Sequence, residues 1–215
     1  MNELTNLESI TYKLNTLLVE AGIPSLDPSV AAKFDVYLSL ILRWNARINL
    51  TSIRDPQIII SRHFVESIAV AKALPAGIST LLDYGSGAGL PGIPIALCRP
   101  EIAVTLAESK AKKAAFLLEA VRALALPTKV HTGRAEDLPI KFDCVTLRAV
   151  DRMPQAVQAA AKLIRPGGWL ALMTTDAELP ALQSAAGAAF TWPPPTPLHG
   201  ATARVIALTS KLPLI

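Results

Sequence analysis

One aspartate, a set of closely spaced glycines and a later glutamate are the residues of this chain best suited to holding a charged organic ligand. Residues 81–92 read Leu-Leu-Asp-Tyr-Gly-Ser-Gly-Ala-Gly-Leu-Pro-Gly, which places an apolar strand end, the Asp83 carboxylate and Gly85, Gly87, Gly89 and Gly92 in one short turn before a helix. Glycine admits positive φ and lets backbone approach a ligand closely, and the N–H groups that open the following helix add partial positive charge. Gly87, Gly89 and Gly92 satisfy G-x-G-x-x-G, the fingerprint of nicotinamide and flavin dinucleotide sites.

Asp83 changes that reading. It stands two residues ahead of Gly85, where a fixed carboxylate repels a pyrophosphate. S-adenosylmethionine has no phosphate; it carries an ammonium, a sulfonium and an adenosine, so acids around the glycines become favourable. A second acid is then expected at the end of the next strand, on the ribose hydroxyls. The run Ile102 to Ala107 reads as a buried strand ending at Glu108, at the ~20-residue interval usual for that role. NAD would use the same carboxylate, so Glu108 supports a nucleoside without naming it. On residues alone a nicotinamide-dependent oxidoreductase and a non-catalytic cofactor- or RNA-binding module stand beside a methyltransferase.

The chain has 215 residues, 51% of them hydrophobic, enough for one medium domain with an extension and a large core. Its two cysteines, Cys98 and Cys144, lie in apolar runs, which leaves no disulfide framework and no metal site and suggests a reduced, cytoplasmic setting. The opening Met-Asn-Glu-Leu lacks the layout of a signal peptide, and the chain has no run of about 18 apolar residues. Neither secretion nor a membrane partner is expected. Net charge is +4 and the isoelectric point 9.2, compatible with a polyanion. The basic residues are grouped: Arg43, Arg47, Arg54 and Arg62 share their stretch with one acid, Asp55, and Lys110, Lys112 and Lys113 crowd a helix start, against its dipole.

These residues need elements to position them. Leu4, Leu7, Ile10, Leu14, Leu17 and Leu18 recur at helical spacing, as do Val30, Phe34, Tyr37, Ile41, Trp44 and Ile48, and the period predicts amphipathic helices over 4–18 and 30–48. A third helix starts where Asp55 caps and Pro56 occupies the first turn, and ends near Leu74. From Ser79 the pattern becomes alternating: strand 81–83, a helix through Cys98, strand 102–107, helix 110–124, strand 129–132, strand 142–147, helix 154–164, an Arg165-Pro-Gly-Gly168 turn, strand 169–173 and strand 204–209. Such alternation predicts a mostly parallel sheet covered by helices, with ligands at the carboxyl ends of its strands, where Asp83, Glu108 and Arg148 fall. The domain boundary is placed at residue 75, with 1–75 a helical extension packed on the core and 76–215 the sheet domain. The Pro-Pro-Pro-Thr-Pro run at 193–197 is donor-poor and belongs at an edge.

In family order come Arg-Trp-Asn-Ala-Arg-Ile-Asn-Leu-Thr (43–51), Arg-Asp-Pro (54–56), Arg-His-Phe-Val-Glu-Ser-Ile (62–68), Gly-Leu-Pro-Gly-Ile-Pro (89–94), Gly-Arg-Ala-Glu-Asp (133–137) and Leu-Arg-Ala (147–149). In these stretches the chain resembles the bacterial 16S ribosomal RNA guanine-N7 methyltransferases, also called glucose-inhibited division protein B. The resemblance implies a class I, Rossmann-like methyltransferase α/β fold, S-adenosylmethionine as cofactor, and a monomeric enzyme acting on small-subunit RNA within a small ribosomal subunit or assembly intermediate. To the cofactor site read above at Asp83, Gly87 and Glu108 it adds Gly85 and Leu90, with an adenine grip at Ala135 and Glu136 and Arg148 as the catalytic residue where cofactor and target base meet. Arg47, Asn49, Arg62 and His63 would face the RNA. Guanine N7 carries an exposed lone pair, so no general base is demanded, and neither a Pro-Cys nor an Asn-Pro-Pro-aromatic motif occurs. One position departs from the pattern: Ala171-Leu172-Met173-Thr174 stands where the family usually has Ala-Leu-Lys-Gly, so that either Arg152 takes over an RNA contact or RNA binding is weaker.

Overall fold

The structure, a computed structural model, describes residues 3–200 and 202–213, with side chains from residue 10. Leu4 and Leu7, expected on the apolar face of the first helix, lie outside the described side chains. Helices α1 (Glu3–Glu20) and α2 (Pro28–Asn45) come first; α3 (Pro56–Ile59) and α4 (Glu66–Ala73) are joined by a π-helical turn, Ile60–Val65, into one continuous helix. Asp27 and Asp55 cap α2 and α3, each accepting from the amide two residues on, with proline in the first turn. The predicted helix over 30–48 stops at Asn45 because that side chain takes backbone bonds itself: Asn45 Oδ1 accepts from the Leu50 and Thr51 amides, and Nδ2 donates to the Ile53 carbonyl.

Strands β1 (Thr80–Tyr84), β2 (Ala103–Ala107), β3 (Lys129–His131), β4 (Phe142–Arg148) and β5 (Ile164–Thr175) alternate with α5 (Gly92–Cys98), α6 (Ala111–Ala123) and α7 (Met153–Lys162). Helix α8 (Leu179–Ala186) and strands β6 (Phe190–Thr191), β7 (Thr196–Pro197) and β8 (Arg204–Lys211) finish the fold. The sheet order is β3-β2-β1-β4-β5-β8-β6, with β7 also on β8; β1 to β5 are parallel and β8 runs antiparallel to β5. The order reverses at β1, so the carboxyl ends of β1 and β4 open a crevice between outgoing crossovers.

Two local expectations are corrected. Residues 165–168 do not form a turn outside the sheet: Phe142 pairs with Ile164 and Cys144 with Trp169, so the Pro-Gly-Gly segment bulges from within a strand that starts at Ile164. Helix α8 is an element the periodicity does not predict, its mixture of small residues and one proline giving a weak signal. The Pro-rich run does lie at an edge, as Thr196 and Pro197 pair with Ile206 and Val205.

The helices of residues 3–73 share a core with one face of the sheet. Leu14, Leu18, Phe34, Tyr37, Phe64 and Ile68 pack in one cluster with Leu81, Ile93 and Phe116, while Leu82, Leu147, Val157 and Leu170 fill the opposite face. Phe64 stacks on Tyr37 and meets Phe34 edge-on, at ring separations of 5.2 and 5.1 Å. Trp44 packs against Phe116 and its Nε1 donates to Glu119 Oε2 at 3.0 Å, tying α2 to α6. Arg99 donates to the carbonyls of Ala71 and Leu74, closing the C-terminal end of α4.

Tyr37 fastens the helical extension to the glycine turn itself. From the interior of α2 its buried hydroxyl donates to the Ala88 carbonyl, in the middle of that turn. Tyr37→Phe removes that donor and strands a buried carbonyl, at a cost of about 1–3 kcal/mol. Urea unfolding should report a loss of that size with unchanged m-value; full stability in the variant would show that the hydroxyl does not anchor the turn.

Candidate active site

Residues 85–91 leave β1 and re-enter α5 along a path that only glycine follows easily. Gly85, Gly87 and Gly89 hold φ of +69°, +56° and +82°. Close approach adds a second reason at Gly92, where a Cβ would stand 2.3 Å from Leu106 Cδ2 and 2.7 Å from Asp83 Oδ2. The turn is fastened by Ser86, whose amide donates to the Ala107 carbonyl and whose hydroxyl donates to the Asp83 carbonyl, both at 2.9 Å.

The two acids of the motif meet different fates. Asp83 is 1% exposed and lies behind the turn: Oδ1 accepts from the Thr146 hydroxyl at 3.0 Å and Oδ2 from the Gly92 amide at 3.2 Å. Burial pushes its pKa up to about 6, against these hydrogen bonds. It does not line the cleft. The expectation of an Asp83 carboxylate beside the ligand is therefore corrected: sheet packing turns the side chain inward, where it spends the first amide of α5 that a phosphate would otherwise use. Glu108, at the end of β2, does line the cleft. Its Oε2 accepts from the Gly87 amide at 2.9 Å and Oε1 from the Lys110 amide at 2.7 Å, so the carboxylate is held rigidly while each oxygen keeps a lone pair for a ligand.

The cleft has a volume of about 1020 Å³. Gly85, Gly87, Leu90 and Glu108 line one end, together with Ala135 and Glu136 from a short 3₁₀ turn after β3. A Cβ added at Gly87 would meet nothing nearer than 3.8 Å, so the cradle opens onto free space there. Glu136 is paired with Arg134 at 3.0 Å and faces Tyr84, whose hydroxyl pKa is raised by burial and by Glu136. Val150 closes over Gly85 from a loop in which Ala149 and Arg152 both adopt positive φ. Such backbone is costly for non-glycine residues and concentrates at ligand sites.

At the other end the cleft is built around Arg148. Its Nη2 donates to the Arg62 carbonyl at 2.8 Å, His63 Nδ1 at 2.9 Å and Glu66 Oε2 at 3.2 Å, and Nη1 reaches Ser67 Oγ at 3.5 Å. All four partners come from the π turn and the start of α4, whose extra residue per turn brings them onto one face; π turns recur at functional sites. Glu66 Oε1 also lies 2.6 Å from Arg204, at the start of β8. Burial raises the Glu66 pKa, and Arg148, Arg204 and Arg62 oppose the rise.

A guanidinium can only donate, so His63 Nδ1 is the acceptor and the ring proton sits on Nε2, which donates to Thr51 Oγ1 at 2.8 Å. Burial, with Arg148 adding to it, pushes the His63 pKa down to about 3. Both ring nitrogens are used: His63 belongs to the cleft wall, but its side chain is mostly buried and hands the position of Arg148 on to the loop around Thr51. Arg62 lines the cleft with its side chain exposed. Arg47 and Asn49 lie outside it, exposed on the loop after α2, with Asn49 Oδ1 accepting from Arg54. Arg152 lines the cleft with its side chain exposed, and Met173, the partner of Arg148 in the β4–β5 register, occupies the wall where a lysine is usual in the resembled family.

Sequence reasoning missed Asn45, Thr51, Glu66 and Arg204. A usable signal existed for Glu66, which stands three residues after His63 and four after Arg62 on a helix that is otherwise apolar there. Arg204, opening the apolar run of β8 as Arg148 closes that of β4, carried the same cue.

Residues 30–189 match the family model described as rRNA small subunit methyltransferase G, GidB. Among curated proteins, "Ribosomal RNA small subunit methyltransferase G" of Xanthomonas campestris pv. campestris is 45% identical over 152 residues, covering 69% of this chain and 71% of its own. The protein of the same description from Stenotrophomonas maltophilia is 44% identical over 160 residues, covering 72% and 74%. Among solved structures, TrmN from Thermus thermophilus superposes with a TM-score of 0.55 at 20% identity, over 71% of this chain and 53% of that one. TYW2 from M. jannaschii, in complex with AdoMet, gives 0.56 at 14% identity over 71% and 76%. The structural likeness shows the class I methyltransferase fold, and the nicotinamide reading of the glycines is set aside. From the family model and the curated relatives it follows that the chain belongs to the GidB family, the rRNA small subunit methyltransferases G.

Proposed function

We propose that the protein transfers a methyl group from S-adenosylmethionine to N7 of a guanine in 16S ribosomal RNA. The observation that carries this reading is one continuous cleft with a nucleoside cradle at one end, built from the glycine turn and Glu108, and the held guanidinium of Arg148 at the other.

The residues present fit the cofactor. Glu108 has lone pairs free for vicinal hydroxyls, Ala135 and Glu136 flank the place for an adenine, and Gly85, Gly87 and Leu90 leave backbone accessible. With the Gly92 amide committed to Asp83, the turn offers little to a diphosphate. When bound, S-adenosylmethionine supplies an electrophilic methyl on positively charged sulfur. What the chain contributes is placement. Guanine N7 attacks through a lone pair, so nothing need remove a proton, and His63, neutral with both nitrogens occupied, is not asked to. Arg148 keeps its Nε and one Nη1 hydrogen free of protein acceptors among the described residues, and these donors suit the O6 of a guanine brought up to the cradle. Fixing two reactants in line supplies most of the rate in such a transfer.

Arg47 and Arg62, with Arg134, Arg152 and Lys113 around the cleft mouth, form the surface proposed to engage RNA phosphates, and residues 1–75 carry much of it. The substrate is taken to be a small subunit or its assembly intermediate, met by a monomer in the cytoplasm. No described helix is long and apolar enough to cross a membrane.

Borohydride and aniline cleavage of ribosomal RNA from cells with and without the protein tests the reaction directly. Scission at one small-subunit guanine should depend on the protein; identical patterns would end the proposal. Glu108→Ala should abolish binding of S-adenosylhomocysteine in calorimetry. Arg47→Ala and Arg62→Ala should leave that binding intact and each lower the slope of log affinity for RNA against log salt by about 1; equal loss of cofactor affinity in all three would refute this division of labour. The depressed His63 pKa adds a stability test. The unfolded chain takes up a proton near 6.5 and the folded one only near 3, so stability is present above pH 6.5 and lost as pH falls through that window. His63→Gln should flatten the decline between pH 6.5 and 4.5 in urea titrations, and an unchanged pH profile would show that this ring is not the group responsible.

A further inference from the structure

Five carboxylates line the cleft, and four have both oxygens or a full ionic partner engaged within the protein or belong to the cofactor cradle. Glu66 holds Arg148 and Arg204, Glu108 takes two backbone amides, Glu136 is paired with Arg134, and Asp151 with Lys110. Glu178 differs. Its Oε2 accepts from the Thr174 hydroxyl at 2.9 Å, and among the described residues Oε1 has no partner. It stands exposed just before α8, above the carboxyl end of β5, beside Met173 and Thr175 in the cleft wall.

The chemistry of the transfer gives that position a role. The cradle lies over β1 and β2, Arg148 closes β4, and β5 with α8 comes next on the far side. A guanine attacking through N7 must turn its N7 and O6 edge toward the cradle and Arg148. The opposite edge, with its N1–H and exocyclic 2-amino donors, then faces β5 and α8. Two donors side by side call for a carboxylate, and adenine, which has an acceptor at N1 and no amino group at C2, would be rejected there. We infer that Glu178 reads the Watson–Crick edge of the target guanine, with the Thr174 hydroxyl holding its carboxylate in place. This makes Glu178 a specificity-determining residue of the methyl transfer proposed above, and it rests on that reading.

The test uses the full-length protein and two versions of small-subunit RNA, one with guanine at the mapped position and one with inosine, which keeps N7, O6 and N1–H and lacks only the 2-amino group. The wild-type protein should favour guanine in kcat/KM by about 10- to 100-fold, the effect of one hydrogen bond to a charged acceptor. In Glu178→Ala the preference should collapse to within about 3-fold, with guanine suffering most of the loss; any intrinsic difference in N7 nucleophilicity cancels between variants. Thr174→Val, which leaves the carboxylate but frees it, should lower the preference partway. S-adenosylhomocysteine affinity should stay unchanged in both variants. A wild-type enzyme indifferent to inosine, or a Glu178→Ala variant that loses activity equally on both RNAs, would overturn the assignment. Absence of any methylation of the guanine RNA by the wild-type protein would instead sink the methyltransferase reading, and this inference with it.

Discussion

A carboxylate buried between a helix and the sheet must be paired, and the pairing of Glu66 with Arg148 is the constraint on which the arrangement of this molecule turns. Removing one member of such a pair leaves an uncompensated charge away from water, at a cost on the order of 3–5 kcal/mol. The pair joins β4 to the helix formed by residues 56–73, so the helical extension is set in register with the sheet by a polar contact as well as by the aromatic cluster around Phe64. Because the Arg62 carbonyl, His63 and Ser67 share the same guanidinium, a shift of this helix by one residue would break every one of these contacts together.

From that pairing the site acquires two ends with opposite character. The cradle end is rigid backbone, held by Ser86, Tyr37 and Glu108 around the positive-φ glycines. The Arg148 end is a network of side chains, with Glu66 shared between two arginines and His63 kept neutral between Arg148 and Thr51. A cofactor needs the first kind of surface, since its shape does not vary. The second kind is adjustable, and the loop around Thr51 connects it to the exposed arginines beyond.

Legibility differed along the chain for physical reasons. The alternation of strands and helices from β1 to β5 was readable because the central strands are buried on both faces and so are mostly apolar, with Asp83 the one polar residue in 81–84 and Asp143 and Thr146 those in 142–147. Helix α8 and the two-residue strands β6 and β7 were not, because elements this short bury few side chains and leave too little period to detect. The Pro-Gly-Gly stretch looked like a turn, since nothing local tells a turn from a bulge that the neighbouring strand β4 absorbs.

The order of apolar and polar residues was by itself enough to determine the doubly wound sheet, the glycine turn after β1 and the placing of Glu108 and Arg148 at strand ends, because periodicity and backbone freedom are local properties. Which way a charged side chain turns is not local. Asp83 and Glu108 both close parallel strands next to the same glycines, yet Thr146 and Gly92 draw one inward while the amides of Gly87 and Lys110 hold the other at the cleft. His63 likewise became a buried link and Glu66 a shared counterion only because strands β4 and β8 bring two arginines to one helix from far along the chain. Only the tertiary structure decided these roles, since the free energy of a buried charge depends on partners that sequence distance does not reveal.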